Sequence, residues 1–374
     1  MTLMPQPEVE GSLRRVAIVG TGLIGTSIAM AAARAGSEVV GWDADAPTLA
    51  AAADRGALRP AASFEDAVAD ADLIVVATPI LAVGEVVATA LRTAPDAIVT
   101  DAASVKGRII ADVAAAVDDS ELLARFVPGH PMGGSERSGP EHASASVVDG
   151  IVWVLTETDD VDEDRVGSLE RWVARLGARP VRLDPDRHDR LVAMVSHLPQ
   201  VASTSLMGVA AVEEADEPDI LLLAAGGFRD LTRLAASQPT LWSDILVANR
   251  DQVAAAIDAF VAHLHDIRDR ILGDDAQGVE SVFAEAKVAR LGLAAKPTVR
   301  AGVAVWQVEI PDRPGALARI TAVLGEGGVN IEDLQIVHSP EGGRGTVHVT
   351  VAAETADATA DVLEGAGYDP IRLA

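Results

Sequence analysis

The segment that most constrains the fold is Gly20-Thr21-Gly22-Leu23-Ile24-Gly25, which stands between an apolar run and a helical pattern. A strand–turn–helix of this kind needs glycine for its tight turn, for close approach of a pyrophosphate, and for helix–sheet packing. The pyrophosphate then lies on the amides of the helix N-terminus. The segment therefore predicts a dinucleotide-binding βαβ unit, with Gly20, Gly22, Leu23, Ile24 and Gly25 at the cofactor.

Asp43 ends the second predicted strand, 23 residues after Gly20. A carboxylate at this point accepts from the ribose hydroxyls and repels a 2′-phosphate, so NAD is favoured over NADP. Alternatively, Asp43 only caps a helix and Asp45 does this work, or neither does. Thr78 and Pro79 end a later strand at the carboxyl edge of the sheet, where they contact the cofactor or merely terminate the strand.

The order of the remaining patterns predicts three domains. Short apolar runs alternate with helical patterns, which is typical of a mostly parallel, doubly wound α/β sheet of the Rossmann type. We predict this nucleotide domain at residues 12–184, with Phe126–Val127 and Ile151–Leu155 extending its sheet. An all-helical substrate and dimerisation domain is predicted at 185–296. Residues 300–374 show the order β-α-β-β-α-β of a ferredoxin-like domain.

Two stretches of the helical part are of special interest. Leu191–Val212 carries no charged residue over 22 positions, which is long enough to cross a bilayer. Because it contains His197, Pro199 and several hydroxyl residues, we interpret it as a helix buried in the protein or in a homodimer. Leu241–Leu272 lacks glycine and proline, and predicts one long amphipathic helix.

The composition restricts the partners. The net charge is −26, from 30 basic and 56 acidic residues, so nucleic acid and anionic membranes are excluded as partners. An anionic small-molecule substrate must then be met by locally placed arginine and histidine. Cysteine is absent, which excludes disulfides and thiolate zinc sites, and we expect no metal. With no apolar leader in residues 1–15, a cytoplasmic location is expected.

Polar chemistry concentrates in a few segments of the chain. They are Thr100–Lys106, Gly129–Glu136, Ser196–Pro199 and Phe228–Arg233. Together with the glycine segment, these motifs resemble the prephenate/arogenate dehydrogenase family in order and over nearly the whole length. The segments Ile310–Leu317 and Gly328–Ile331 similarly resemble an ACT domain.

The resemblance implies an oxidative decarboxylation of prephenate, with a role for each site residue. His130 accepts the proton of the substrate hydroxyl, and Ser104 orients that pair. Arg233 binds a carboxylate, His197 lies near the pyruvyl side chain, and Trp242 forms an aromatic wall. For Glu136 two alternatives stay open: it gates or tunes the pocket, or it faces solvent. Taken alone, His130 and His197 could be structural histidines, Ser104 a helix cap, and Arg233 a surface charge.

Other functions stay open at this point. Arogenate dehydrogenase uses the same chemistry, but its substrate carries an ammonium, for which a carboxylate is expected. A β-hydroxyacid dehydrogenase needs a catalytic lysine, and Lys287 lies in an ordinary helix face. An NAD-binding metabolite sensor without catalysis is a third alternative. We interpret His188-Asp189 as a pair at the start of a helix.

The resemblance to ACT domains implies feedback regulation, with L-tyrosine as the expected effector. Asp312, Gly315, Asn330 and Ile331 are then expected near the ligand. The alternative is a purely structural or dimerising module.

Overall fold

The computed structural model describes residues 13–133, 137–158, 161–293, 303–311, 313–338 and 344–373. The chain divides into two compact units. One contains the residues up to Pro218 together with Leu231–Ala259, and the other contains Asp219–Asp230 and the residues from Phe260 onwards. The residues expected at the nucleotide belong to the first unit, as does the histidine cluster, by which we mean His130, His188, Asp189, His197 and Asn249.

The secondary structure alternates in the first part of the chain, is helical in the middle and mixed at the end. The strands are β1 Arg15–Val19, β2 Glu38–Trp42, β3 Arg59–Pro60, β4 Leu73–Val76, β5 Ile98–Asp101, β6 Gly129–Pro131, β7 Val152–Thr156, β8 Arg179–Leu183, β9 Val303–Pro311, β10 Asp333–His338, β11 Arg344–Ala352 and β12 Ile371–Arg372. The helices are α1 Leu23–Arg34, α2 Ala46–Asp54, α3 Phe64–Val68, α4 Ile80–Thr93, α5 Gly107–Ala116, α6 Ser120–Leu123, α7 Glu163–Arg175, α8 Pro185–Val192, α9 Leu198–Glu213, α10 Gly226–Thr232, α11 Pro239–Ala248, α12 Arg250–Leu272, α13 Ala276–Leu293, α14 Ala316–Glu326 and α15 Ala356–Gly365.

The parallel sheet predicted for the nucleotide domain is confirmed. Its strand order is β3-β2-β1-β4-β5, and all of its pairings are parallel. The central strands are apolar without alternation because both faces are buried, one in a cluster with Val76 and Val83, the other with Ile18 and Trp172. The strand order reverses at β1, which lies between β2 and β4. In open α/β sheets, ligands bind beyond the carboxyl ends of the strands at such a reversal.

The expected extension of this sheet by Ile151–Leu155 is wrong. β7 instead forms a separate three-stranded sheet, antiparallel to β6 and parallel to β8. β7 pairs with β6 at one edge and with β8 at the other, so it is the central strand of its own sheet. β8 was not among the strands predicted from the sequence. The Phe126–Val127 segment does reach the edge of β5, where Phe126 makes a single parallel bridge with Val99.

The helical part departs from regular geometry at two points. A π turn at Ala193–His197 joins α8 to α9. Pro199 explains it, because proline lacks an N–H and leaves the carbonyl four residues before it without its usual donor. The single helix expected over Leu241–Leu272 is wrong, since Asn249 leaves the helical conformation and separates α11 from α12. Within the described residues, the structure contains no helix that is long and apolar enough to span a membrane.

The C-terminal segment confirms the predicted β-α-β-β-α-β order. Its sheet has the strand order β10-β11-β9-β12, with antiparallel pairings throughout. Val308, Ile320, Val349 and Leu363 lie in its core. Gly315 precedes α14 in the left-handed region, with φ of 88°, which L side chains rarely adopt.

Candidate functional site

The glycine loop follows β1 and begins α1 as predicted. Gly20 has a positive φ of 92°, and a Cβ there would lie 2.5 Å from the carbonyl oxygen of Ala77. A Cβ on Gly25 would lie 1.9 Å from the carbonyl oxygen of Gly20. Gly22 is the N-cap residue and no side chain caps the helix there, so the first amides of α1 face the loop without a side-chain acceptor. Leu23 is buried and Ile24 half-buried at the start of α1. This arrangement fits the pyrophosphate of a dinucleotide.

Asp43 and Thr78 lie at the ends of the strands on either side of β1. The Asp43 carboxylate accepts from the Thr21 amide at 2.7 Å, and so stands beside the glycine loop. Asp45, not Asp43, caps α2 by accepting from the Thr48 amide at 3.0 Å. The Thr78 hydroxyl is buried without a hydrogen-bond partner among the described residues, and Pro79 is the N-cap residue of α4. The Asp43 carboxylate and the Thr78 backbone therefore both lie beside the glycine loop, at the carboxyl edge of the sheet.

His130 lies in β6, where its side chain is 9% exposed. The backbone beside it is held by a buried ion pair between Lys106 and Asp101, both of which have fully buried side chains. The Lys106 ammonium also donates to the carbonyl of Gly129 at 2.5 Å, and Asp101 accepts from the Gly129 amide at 3.1 Å. Burial lowers the pKa of Lys106, and the Asp101 carboxylate opposes this shift. The pair thus ties the end of β5 to the strand that carries His130.

A second histidine stands behind His130. The Nδ1 atom of His130 is 2.9 Å from Nε2 of His188, and Nδ1 of His188 is 2.8 Å from a carboxylate oxygen of Asp189. Asp189 also accepts from the amides of Lys106 and Gly107, each at 2.8 Å. These amides belong to the N-terminus of α5, which has no side-chain cap from its own sequence. Asp189 therefore anchors α5 and orients His188 at the same time.

The direction of this chain of hydrogen bonds decides which atom of His130 is basic. A carboxylate only accepts, so His188 donates from Nδ1, and in its neutral form it presents Nε2 as an acceptor. His130 then donates from Nδ1 and keeps an unprotonated Nε2. This Nε2 atom has no hydrogen-bond partner within the described part of the chain. The arrangement provides a proton acceptor of defined orientation.

Burial and neighbouring groups keep His130 neutral. Burial lowers its pKa well below the ordinary histidine value, and His188, Lys106 and His197 lower it further. A neutral imidazole at physiological pH can take a proton, whereas an imidazolium cannot. The electrostatics therefore agree with the hydrogen-bond geometry.

His197 lies at the end of the π turn and is 1% exposed. Its Nδ1 atom is 3.2 Å from the side-chain nitrogen of Asn249, and its ring meets Trp242 edge to face at 6.1 Å between centroids. Burial lowers the pKa of His197 to about 4, which Asp189 opposes and His188 reinforces. The structure thus brings His197 and Trp242 into contact.

The remaining residues expected at the substrate site are Ser104, Arg233 and Glu136. Ser104 is half-buried between β5 and α5, and its hydroxyl has no hydrogen-bond partner among the described residues. Because Lys106 is the N-cap residue of α5, Ser104 does not cap that helix. Arg233 is exposed at the start of a 3-10 turn that is tied to α9 by a hydrogen bond from Gln200 to the Leu234 carbonyl. Glu136 lies outside the described residues.

Of the residues expected at an amino-acid site, the three that the structure describes lie in the loops that flank α14. Gly315 precedes the helix, and Asn330 and Ile331 follow it. Asn330 is exposed and donates to the Glu332 carboxylate at 2.5 Å. Asp312 lies outside the described residues.

The sequence interpretation missed three residues of the cluster. His188-Asp189 is not merely a pair at a helix start, because both side chains are buried and bonded to the strand and helix that carry His130 and Lys106. Asn249 was not recognised because the sequence predicted one continuous helix over Leu241–Leu272. A polar residue within an apolar helical stretch was the only available signal for it.

Comparisons with known proteins agree with this geometry. Residues 28–182 match the family model of the prephenate dehydrogenase nucleotide-binding domain, residues 184–285 that of the prephenate dehydrogenase dimerization domain, and residues 307–365 that of the ACT domain. A prephenate dehydrogenase of Bacillus subtilis (strain 168) is 30% identical over 348 residues, which cover 91% of this chain and 92% of the relative.

Two solved structures are similar in fold and sequence. One is prephenate dehydrogenase from Aquifex aeolicus in complex with hydroxyphenyl propionate and NAD+, with 29% identity and a TM-score of 0.70 over 75% of this chain and 99% of that one. The other is Synechocystis arogenate dehydrogenase, with 27% identity and a TM-score of 0.65 over 74% and 98%. Motifs, fold and these similarities together show that the chain belongs to the prephenate dehydrogenase family.

Proposed function

We propose that this chain oxidises and decarboxylates prephenate to 4-hydroxyphenylpyruvate with NAD, a step of tyrosine biosynthesis. The observation that carries the proposal is the buried, neutral His130, whose Nδ1 is engaged by His188 and whose Nε2 is left basic. Such an atom is what the substrate hydroxyl needs when the carbon that bears it loses a hydride. The nucleotide loop in the same unit supports the proposal.

The reaction assigns a task to each group. When bound, NAD+ accepts the hydride from the ring carbon that bears the hydroxyl. His130 Nε2 takes the hydroxyl proton, so that the C–O bond gains double-bond character. Cleavage of the bond to the ring carboxylate releases CO₂, and its electron pair makes the ring an aromatic phenolate, which takes the proton back from His130 to give the phenol. His188 and Asp189 keep the acceptor atom of His130 pointed at the substrate throughout.

The remaining roles follow the residue chemistry. Ser104 has an unengaged hydroxyl, which suits a hydrogen bond to the His130–substrate pair. His197 and Trp242 form one wall of the substrate pocket, beside the pyruvyl side chain of prephenate. Arg233 supplies a guanidinium for a carboxylate, which it can bind through two parallel hydrogen bonds. Glu136 is proposed to gate or tune the pocket.

Asp43 supports NAD as the cofactor. It accepts from the Thr21 amide and hydroxyl through one oxygen and from the Asp45 amide through the other. This fixes a negative charge beside the glycine loop, where it can accept from ribose hydroxyls and repel a 2′-phosphate. We therefore expect NADP to be the poorer cofactor.

Steady-state kinetics with both candidate substrates test the proposal. The formation of reduced cofactor is followed with prephenate and with arogenate, each with NAD and with NADP. We expect kcat/KM to be highest for prephenate with NAD, by roughly a factor of ten or more over either alternative. Folded protein that reduces neither cofactor with either substrate would contradict the proposed activity. A preference for arogenate would contradict the choice of substrate alone.

We also propose regulation by L-tyrosine and assembly as a homodimer. The ferredoxin-like domain has a left-handed glycine before α14 and exposed Asn330 after it, which suits a loop pair that binds an amino acid.

The homodimer is supported by an exposed apolar surface. On α8, α9 and the π turn between them, apolar side chains are exposed in the single chain: Leu191, Met194, Val195, Leu206, Val209 and Val212. Such a surface is typical of a subunit interface, and sedimentation equilibrium would then give twice the monomer mass.

A further inference from the structure

We infer that Asn249 is a positioning residue that fixes the tautomer of His197, and through it the preference for a keto-acid over an amino-acid side chain. The first half of the inference stands on geometry alone. The second half rests on the proposed function, because it uses the place of His197 at the substrate side chain.

Asn249 occupies the break between α11 and α12, where it is 4% exposed. Its side-chain nitrogen donates to the backbone carbonyl of Asp189 at 2.9 Å and lies 3.2 Å from Nδ1 of His197. Asp189 is the residue whose carboxylate holds His188. A single buried amide therefore links His197 to Asp189, whose carboxylate holds His188 behind His130.

The orientation of this amide is determined by its partners. The backbone carbonyl of Asp189 can only accept, so the Asn249 nitrogen, and not its oxygen, must face it. The second hydrogen of the same nitrogen then points to His197 Nδ1, which must accept it. Nδ1 therefore carries a lone pair, and the one proton of the neutral ring is on Nε2.

A proton on Nε2 makes His197 a donor towards whatever lies beyond it. Nε2 has no hydrogen-bond partner among the described residues, and is available to a ligand. A keto acid offers carbonyl and carboxylate oxygens, which accept this hydrogen bond. An amino acid offers an ammonium at the equivalent carbon, which can only donate. Two donors would then face each other in a buried place, which disfavours the amino-acid substrate.

The test begins with the tautomer of His197 in the full-length protein. Long-range ¹H–¹⁵N spectra of histidine-labelled protein separate the two neutral tautomers, and His197→Gln identifies the signal among the 8 histidines. We expect the Nε2–H form in the unsubstituted protein. In Asn249→Asp the new carboxylate can only accept, so the proton is expected to move to Nδ1.

Gln200→Leu is the matched control. Gln200 is also a buried amide that donates to a backbone carbonyl, that of Leu234 at 2.8 Å. Its side chain makes no hydrogen bond to His197 within the described residues. This variant loses a comparable hydrogen bond, and a merely structural effect would appear in it too. We expect its His197 to keep the Nε2–H form.

Kinetics supply the second readout. In Asn249→Asp, the ratio of kcat/KM for prephenate to that for arogenate is expected to fall by about tenfold, mainly through KM. A proton on Nδ1 in the unsubstituted protein overturns the inference, even if Asn249→Asp does not fold. An unchanged tautomer in a folded Asn249→Asp also overturns it, and an unchanged substrate ratio overturns its second half. Failure of the proposed function itself would look different, since the unsubstituted protein would then turn over neither substrate.

Discussion

Asp189 is the residue on which most of the site geometry depends. Its carboxylate accepts from two amides of the α5 terminus and from His188, and its carbonyl accepts from Asn249. Asp189 therefore sets the position of α5 through the two amides and the direction of the His188–His130 hydrogen bond through His188. Its carbonyl sets the orientation of the Asn249 amide. Two buried histidines can in this way remain neutral and still present Nε2 in different states, as a hydrogen-bond acceptor on His130 and as a donor on His197.

The lowered histidine pKa values predict a loss of stability in mild acid. A buried histidine whose folded pKa lies below 6.5 binds its proton more readily in the unfolded chain, so the free energy of unfolding falls as pH drops below that value. For His197, with a folded pKa of about 4, the loss between pH 7 and pH 5 is about 2 kcal/mol. His130 adds a loss of the same sign.

Urea unfolding at pH 7 and at pH 5 measures this loss. His197→Gln removes one titrating group, so the difference in unfolding free energy between the two pH values should shrink by about 2 kcal/mol. An equal difference in the variant and in the unsubstituted protein would show that His197 is not neutral in the folded state.

At the scale of elements, local patterns sufficed to locate most strands and helices along the chain, but not to show which strands share a sheet. The glycine loop, the strands of the parallel sheet and the C-terminal β-α-β-β-α-β order all follow from short-range periodicity. The separate β6-β7-β8 sheet did not, because β6 has only three residues, Gly129–Pro131, and nothing local distinguishes an added strand from a new sheet. The break at Asn249 was not predicted because residues 241–272 contain no glycine or proline that would signal the end of a helix.

The site itself was predictable only in part, because residues that meet in it are far apart along the chain. His130, His197 and Ser104 stand in segments with recognisable motifs. The partners that orient the two histidines are remote, since His188 lies 58 residues from His130 and Asn249 lies 52 from His197. Only the folded chain shows that these residues meet.

At the scale of the whole molecule, the charge distribution sets the conditions for binding. A net charge of −26 repels a dianionic substrate at long range, so the affinity must come from local groups. Salt screens this repulsion, whereas short contacts inside a pocket are screened much less. The proposed regulation also belongs to this scale, because the C-terminal domain must change turnover at residues of another part of the chain.

We predict that L-tyrosine inhibits prephenate turnover and that the inhibition depends on the C-terminal domain. Asn330→Ala removes an exposed amide from the loop after α14, and should weaken tyrosine binding in calorimetry while kcat without tyrosine is unchanged. Removal of residues 300–374 should abolish the inhibition. If tyrosine inhibits the truncated protein as strongly as the full chain, the regulatory site lies elsewhere.

The central claim is that the free Nε2 of His130 takes the hydroxyl proton of the substrate, and His130→Asn tests it most directly. His142→Asn is the matched control, because His142 is exposed on a 3-10 turn and lies outside the cluster. With prephenate and NAD, we expect kcat to fall by about 10²–10⁴-fold in His130→Asn, with a small change in KM, and to stay unchanged in His142→Asn. Turnover by a folded His130→Asn at the rate of the unsubstituted protein would contradict the account.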